Sequence, residues 1–335
     1  MSDEEKKEIN PPQSEETPLP PAPKVKNKKK RSLFHKIVNV FLGIILGLLV
    51  IIILFIGFMQ TSTFREMLRT NLLEIVNEEI NGKINLEKID GTFLTSLILR
   101  NGSLTYEKDT IAAFKDLSVK FSPFRLLFKQ IAVRDVRLND MDFRLVEDSS
   151  GVLNIAKAFP SSPDEDTTTS TFDFEIIVSN LDFRNLNISF QKEAFVKSEA
   201  SYDYFNLDDF RIDNLNLVLS AFADMEENEY ELTIKEFNSK INLKRFNLND
   251  FRGKFALSEK GIEISGFNFA SDSSRLKADV KIDGINIFGD MSDDALKKVT
   301  VDLDLRSEKF CFADVASYVP ALDMIKGALA VELSG

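Results

Sequence analysis

Tryptophan is absent from this chain of 335 residues, histidine and cysteine occur once each, and tyrosine only five times. The one cysteine, Cys311, excludes an internal disulfide in any compartment and reads as a small apolar packing residue. The one histidine, His35, lies in a basic stretch near the N-terminus. No Ser–His–Asp, Cys–His or Cys/His zinc arrangement is therefore available to the rest of the chain. Glycine is sparse as well, at 14 residues, and neither GKINLEK nor GDMSDD has the spacing of a phosphate-cradling loop. The carboxylate pairs Asp208-Asp209 and Asp293-Asp294 read as solvated turn charges. These gaps predict a protein that is not an enzyme and that needs no cofactor or metal.

Excess positive charge is missing too. The chain carries 42 Lys/Arg against 53 Asp/Glu, and most of its basic surplus sits at the front. Residues 1–36 hold nine basic and six acidic residues, which leaves 33 basic against 47 acidic in the remainder. An acidic body is a poor partner for nucleic acid, which rewards clustered Lys and Arg.

What is present begins with IVNVFLGIILGLLVIIILFIGF, an uncharged run at 37–58. At about 1.5 Å per residue it is long enough for a bilayer core of about 30 Å, which predicts a transmembrane helix over 37–59. Seven Lys/Arg precede it, including Lys28, Lys29, Lys30, Arg31 and Lys36, and residues 58–64 carry none. The positive-inside rule then makes the N-terminus cytoplasmic and puts everything beyond residue 60 across the membrane. A cleaved signal peptide would have a shorter apolar core and small residues at its cleavage site, and no alanine occurs between Ala22 and Ala112. Residues 1–36, rich in Pro, Glu and Lys, are predicted to be a disordered basic tail.

TSTFREMLRTNLLEIVNEEING predicts an amphipathic helix over 60–82, capped by Thr61, Ser62 or Thr63, with Phe64, Leu68, Leu72, Ile75, Val76 and Ile80 on one stripe. That stripe either covers an open end of a sheet or forms a gate at the membrane surface. From Ile84 onward alternating strand patterns dominate over 83–160 and again over 172–335. PSSPDEDTTTST, at 160–171, contains no apolar residue and predicts a loop. FRLLFKQ after Ser122-Pro123 and DDALKKV at 293–299 suggest short helices.

An eight-residue pattern recurs six times: LILRNGSL (97–104), IAVRDVRL (131–138), LDFRNLNI (181–188), FRIDNLNL (210–217), INLKRFNL (241–248) and IEISGFNF (262–269). Apolar residues hold places one, three, six and eight, except that the first copy has Gly102 at place six. Alternation, a slip of one, then alternation again describes a strand with a bulge. Asn101-Gly102, Asp135, Asn185, Asn214 and Ser265-Gly266 are the residues expected to bend there. The copies start 34, 50, 29, 31 and 21 residues apart, too irregular for a solenoid of fixed period. The expected fold is mostly β: a transmembrane helix, a short capping helix and one long curved antiparallel sheet forming an open groove.

The bulges keep one apolar face on one side, and the predicted lining is Leu97, Leu99, Leu104, Ile131, Val133, Leu181, Phe183, Ile212, Leu217, Leu243, Phe246, Ile264 and Phe267. The face is either a closed core or an exposed trough. With 29 Phe and few long helices to cover it, lipid acyl chains are the expected occupant. The alternative is a scaffold whose sheet edge pairs with client polypeptides.

The order of pieces adds a resemblance. An uncleaved anchor and an amphipathic helix precede INLEKIDG, LILRNGSLTY, DLSVKFSP, FRLLFKQIAVRDVRL and DSSGVLNIAKAF. This resembles the start of the TamB group of the AsmA-like superfamily, over residues 33–160 by motif and 172–335 by strand pattern alone. The resemblance implies a protein of the bacterial inner membrane whose body lies in the periplasm. It implies a U-shaped sheet with an apolar trough, a part in phospholipid movement between inner and outer membranes and in outer-membrane protein assembly and secretion, and a partner barrel. The region that contacts the barrel is not in this sequence, and the closing ALAVELSG reads as mid-strand, so a longer protein is expected.

Overall fold

The computed structural model describes residues 33–128, 130–159, 175–196, 198–225, 227–289, 297–325 and 327–335. The basic tail through Arg31 and the loop at 160–171 lie outside those residues, as does most of DDALKKV, whose last residues form a turn. Two units divide the chain, Met1–Leu54 and Phe55–Gly335. The first contains most of helix α1 (Leu33–Met59), of which Lys36–Met59 is long and apolar enough to cross a membrane.

Helix α2 (Ser62–Glu79) starts where Thr61, in extended conformation, accepts the Phe64 N–H on its hydroxyl, an N-cap that satisfies a free first-turn amide. A single sheet of 12 strands follows, and every strand pairs with its neighbours in sequence. The first four are β1 (Lys83–Asp90), β2 (Ser96–Tyr106), β3 (Asp109–Phe121) and β4 (Gln130–Glu147). Next come β5 (Glu175–Lys192), β6 (Asp209–Asp224), β7 (Glu229–Ile241) and β8 (Asn247–Ser258). The last are β9 (Gly261–Ser271), β10 (Arg275–Asp283), β11 (Thr300–Cys311) and β12 (Ala328–Ser334). Two helices of one turn, α3 (Asn154–Ala158) and α4 (Phe312–Ala316), sit in the connections after β4 and β11. The stretch after Ser122 is a 3-10 helix over Pro123–Phe128.

The sheet is not antiparallel throughout. β4 and β5 run parallel over their whole length, from Gln130↔Glu175 to Glu147↔Lys192. A parallel pair needs a crossover rather than a hairpin, and the apolar-free stretch at 160–171 falls within that crossover.

Bulges occur where most of the repeats place them. Asn101, Asn185, Asn214 and Gly266 all have φ between 49° and 60°. In β4 the left-handed residue is Asp140, not Asp135. The register does slip beside Asp135, between Lys120 and Phe121 of β3, but the stretch equivalent to the other copies is VRLNDMDF, 136–143. INLKRFNL is a second correction: β7 ends at Ile241 and β8 begins at Asn247, so this copy is a connection between strands. Asn242 N–H still bonds Arg211 O of β6, but beyond it the backbone turns to another segment: Tyr202 N–H donates to Asn242 O and Lys244 N–H to Tyr202 O.

Helix α2 follows the free edge of β1. At about 1.5 Å per helical and 3.3 Å per strand residue, its 18 residues match the 8 of β1, near 27 Å each. Arg65 donates to the Asp90 carboxylate and Gly91 O, Arg69 to Leu86 O, and Asn77 both donates to Ile84 O and accepts from Ile84 N–H at 2.6 Å. The helix therefore caps the sheet edge through polar side chains; of the expected apolar stripe, Phe64, Leu68, Val76 and Ile80 are half-buried, and Leu72 and Ile75 are exposed. The reason is geometric: β1 offers the helix an edge of unpaired backbone groups, which only polar side chains can satisfy.

Candidate functional site: an apolar sheet face

Residues paired across neighbouring strands share a face, so the register sorts every side chain. One row crosses seven strands: Ile89, Leu99, Leu117, Leu138, Phe183, Leu217 and Phe237. A second runs Leu97, Val119, Val136, Leu181, Leu219 and Ile234. On the other side of the bulges lies a third, Ile84, Leu104, Ala112, Phe143, Ile188, Ile212 and Ile241. Gly102, the departure from the pattern in the first copy, sits in a fourth row, where the Phe114 ring occupies the space its side chain would take, 2.2 Å from an added Cβ.

The bulges themselves line up into a crease. Asp140 and Asn185 are neighbours, with Asn185 Nδ2 donating to Asp140 Oδ1 at 2.6 Å and Lys115 Nζ 3.6 Å from Asp140 Oδ2. Asn185 N–H donates to Asn216 Oδ1, Asn214 N–H to Asn187 Oδ1, and Asn216 Nδ2 to Asn238 Oδ1. Asparagine suits these places because it tolerates φ > 0 and can serve the backbone amides that a bulge leaves unpaired.

The opposite face is ionic. Arg100 bridges Asp90 and Asp116, Arg184 bridges Asp182 and Glu236, and Lys254 meets Glu231. The Lys88 ammonium holds the Asp90 carboxyl below its ordinary value; partial burial opposes this, and Arg100 and Arg65 add to it. Burial acts against Asp135 most strongly, yet Asn180, Lys120 and Arg137 together still lower it.

Full burial is concentrated at one set of strand ends. Ile111 and Ala158, both at 0% exposure, lie there, as do Leu243, Phe246 and Leu248, packed with Tyr202, Phe237, Ile241, Phe251 and Phe269. Polar groups complete this rim. Asp209, fully buried, accepts from Gln191 Nε2 and Tyr202 OH, each at 2.9 Å. Tyr204 OH and Arg245 both donate to Asp323, and Phe205 N–H donates to Ser317 O. Asp209 is thus a buried knot and not the solvated turn charge its sequence suggests, whereas Asp208 does pair at the surface with Lys192. Cys311 is half-buried, and its N–H donates to the buried Ser274 hydroxyl.

The middle of the apolar face is different. Leu99, Leu117, Leu138, Phe183, Leu217 and Phe237 are all only half-buried. The described residues contain one sheet, with α2 along its edge and α3 and α4 at strand ends, and no second layer of strands. β1 and β12 do not pair with each other, so the sheet stays open.

Among the residues singled out from sequence, Leu97, Leu99, Leu104, Leu181, Phe183, Ile212 and Leu217 fall on the apolar face by register. So do Val133, opposite Phe121, and Ile264 and Phe267 on β9. Ile131 pairs with Ile176 through its backbone, and its side chain is outside the described set. Leu243 and Phe246 are the exceptions: at 6% and 7% exposure they belong to the rim core and line no open surface. Sequence reasoning missed Leu117, Leu138, Phe114 and Phe143: Phe114 and Leu117 lie on β3, which holds no copy of the repeat, while Leu138 closes the IAVRDVRL copy and Phe143 lies beyond it on β4; their period of two was the available signal.

A family model, the AsmA family, matches residues 32–309. The chain belongs to the AsmA family. Family membership links it to cell-envelope and lipid-related functions in general terms. The AsmA match takes in the end of the tail, the apolar helix and the sheet as far as β11. No curated protein and no solved structure matches the chain.

Proposed function

We propose that this AsmA-family chain is a single-pass protein of a bacterial inner membrane, with a cytoplasmic N-terminus and a sheet in the periplasm that shelters phospholipid acyl chains in transit between membranes. It acts without catalytic chemistry or cofactor, in the manner of the TamB group. The carrying observation is the apolar face that crosses β1–β7 and is half-buried from Leu99 to Phe237, while full burial is concentrated in a rim at the strand ends. A saturated chain of about 16 carbons costs on the order of 13 kcal/mol to expose to water, at about 0.8 per methylene. From Leu97 to Leu104 the face is about 23 Å wide at 3.3 Å per residue, against roughly 15 Å for one leaflet's half of the bilayer core. A tail therefore fits within it. A part in outer-membrane protein assembly with a barrel partner rests on the TamB resemblance alone.

The test is in-cell photo-crosslinking of the full chain. Probes at Leu99, Leu138 and Phe183 should capture phospholipid, and probes at the adjacent Arg100, Asn139 and Arg184 should not. Capture of polypeptide in place of lipid would favour a scaffold, and equal labelling of both sets would refute the face assignment.

A further inference from the structure

The rim opposite the packed one carries the β1–β2, β3–β4, β6–β7, β8–β9 and β10–β11 connections. The first of these adjoins the end of the apolar helix, and the second lies beside the first. α1 stops at Met59 and α2 starts at Ser62, so this junction cannot be more than a few ångströms from any bilayer that α1 crosses.

The junction is fastened to the sheet. Gln60 Nε2 donates to Thr92 O at 3.0 Å, and Arg65 reaches both Asp90 and Gly91 O. Three rings continue the attachment edge to face: Phe58 lies 5.3 Å from Phe64, and Phe64 lies 5.6 Å from Phe93. Phe93 itself is held at φ 59°, a conformation that bulky residues rarely adopt. Beside it Leu94 is 41% exposed, and Phe121 N–H bonds to Thr95 O, which draws the β3–β4 connection alongside. That connection presents Phe124, at 76% exposure.

Large apolar side chains exposed at two neighbouring loop tips, one of them tied to the end of a membrane span, have the bilayer as their available apolar phase. We propose that Leu94 and Phe124 form a lip immersed in the headgroup–acyl boundary of the leaflet into which α1 emerges. The lip stands next to Leu97 and Val119, the first residues of the apolar rows. On the lipid-carrying reading, a tail would pass from leaflet to sheet without meeting water. The lip itself depends only on α1 crossing the membrane.

The experiment uses the full chain with Cys311→Ser, reconstituted in nanodiscs of phosphatidylethanolamine and phosphatidylglycerol. Single cysteines at Leu94, Phe124, Lys108 and Leu48 are labelled with an environment-sensitive fluorophore, and a fraction of the lipid carries a nitroxide high on the acyl chain. Leu48, inside the span, must be quenched, which certifies insertion. Labels at Leu94 and Phe124 are expected to shift to the blue and lose most of their emission to the nitroxide. Lys108, in the β2–β3 turn on the other rim, is expected to do neither. Unquenched labels at Leu94 and Phe124 beside a quenched Leu48 would overturn the lip. A blue shift without quenching would overturn it too, since it would mean protein cover. Phospholipid captured at Leu99 and Phe183 with an unquenched lip would leave the lipid reading intact, and the reverse result would leave the lip intact without it.

Discussion

Asn185 shows what a single position in the crease requires. Its φ of 55° is tolerated by asparagine and glycine and resisted by β-branched residues. Asn185→Gly gives up mainly the side-chain bond to Asp140, a loss of about 1 kcal/mol. Asn185→Val adds the left-handed penalty of roughly 1–2 kcal/mol. The valine variant should therefore melt clearly below the glycine variant when the full chain is followed by circular dichroism. Equal melting points would remove the backbone argument. Asp90 offers a pH counterpart. Its folded value is depressed below the ordinary 3.8, so its contribution is complete above that value and disappears as the pH falls through the lower folded value. In acid, the α2–β1 junction should lose amide-exchange protection before the rim does, and Asp90→Asn should abolish that early step. Asparagine at place five is readable as a bend from the sequence. Asp140 is not, because IAVRDVRL five residues earlier imitates the repeat, and an aspartate serves a bulge as well as an asparagine does.

At the scale of elements, the attachment of α2 to β1 separates two kinds of helix–sheet contact. A helix on a sheet face buries an apolar stripe, whereas a helix beside a sheet edge supplies donors and acceptors. Sequence periodicity reports the stripe and is silent about the edge, so the helix and a cap among Thr61, Ser62 and Thr63 were legible but its mode of attachment was not. Asn77, which satisfies both backbone groups of Ile84, is the clearest lever. Asn77→Ala should expose the Ile84 amide to hydrogen exchange and cost about 1–2 kcal/mol, while the β8–β9 amides keep their protection. If Ile84 remains protected, the edge is covered by something other than the helix side chains. The strands themselves were legible because a period of two survives each bulge. The connection at 242–246 was not, since Leu243 and Phe246 satisfy a strand pattern while packing as a loop.

For the whole molecule, the distinction between rim and face makes opposite predictions for substitutions of similar size. Phe246→Ala removes a ring from the buried cluster and should cost roughly 3–5 kcal/mol, enough to unfold a marginal domain. Phe183→Asp places a charge on the half-buried face, where it reaches water when no lipid is bound. The fold should then persist, by circular dichroism and melting of the full chain, while co-purifying phospholipid is lost. Collapse of Phe183→Asp would mean a closed core. Topology is tested separately: a reporter fused after Gly335 should be active only on the far side of the inner membrane. Moving the Lys/Arg run of 24–36 to follow Met59 should reduce or invert insertion. The open face was anticipated from the lack of elements to cover it. The rim was not, because it is built from polar residues such as Asp209, Ser271 and Asn242, which in sequence resemble ordinary turns.

The parallel pairing of β4 with β5 has a consequence for left and right. In a sheet made only of hairpins, connections alternate between the two sides, and those after β4, β6, β8 and β10 would share one side. The crossover resets that count. It brings the connections after β5, β7, β9 and β11 to the side already occupied by α3 and the β2–β3 turn, and these include the long segments at 193–208 and 312–327. Had β5 followed by a hairpin, the same loops would project beside Leu94 and Phe124. One parallel joint thus gathers the fully buried residues at or beside these connections, Ile111, Ala158, Asp209, Ser274 and Asp314, on one flank of the sheet. Replacing the crossover by a short turn would have to divide them between two flanks.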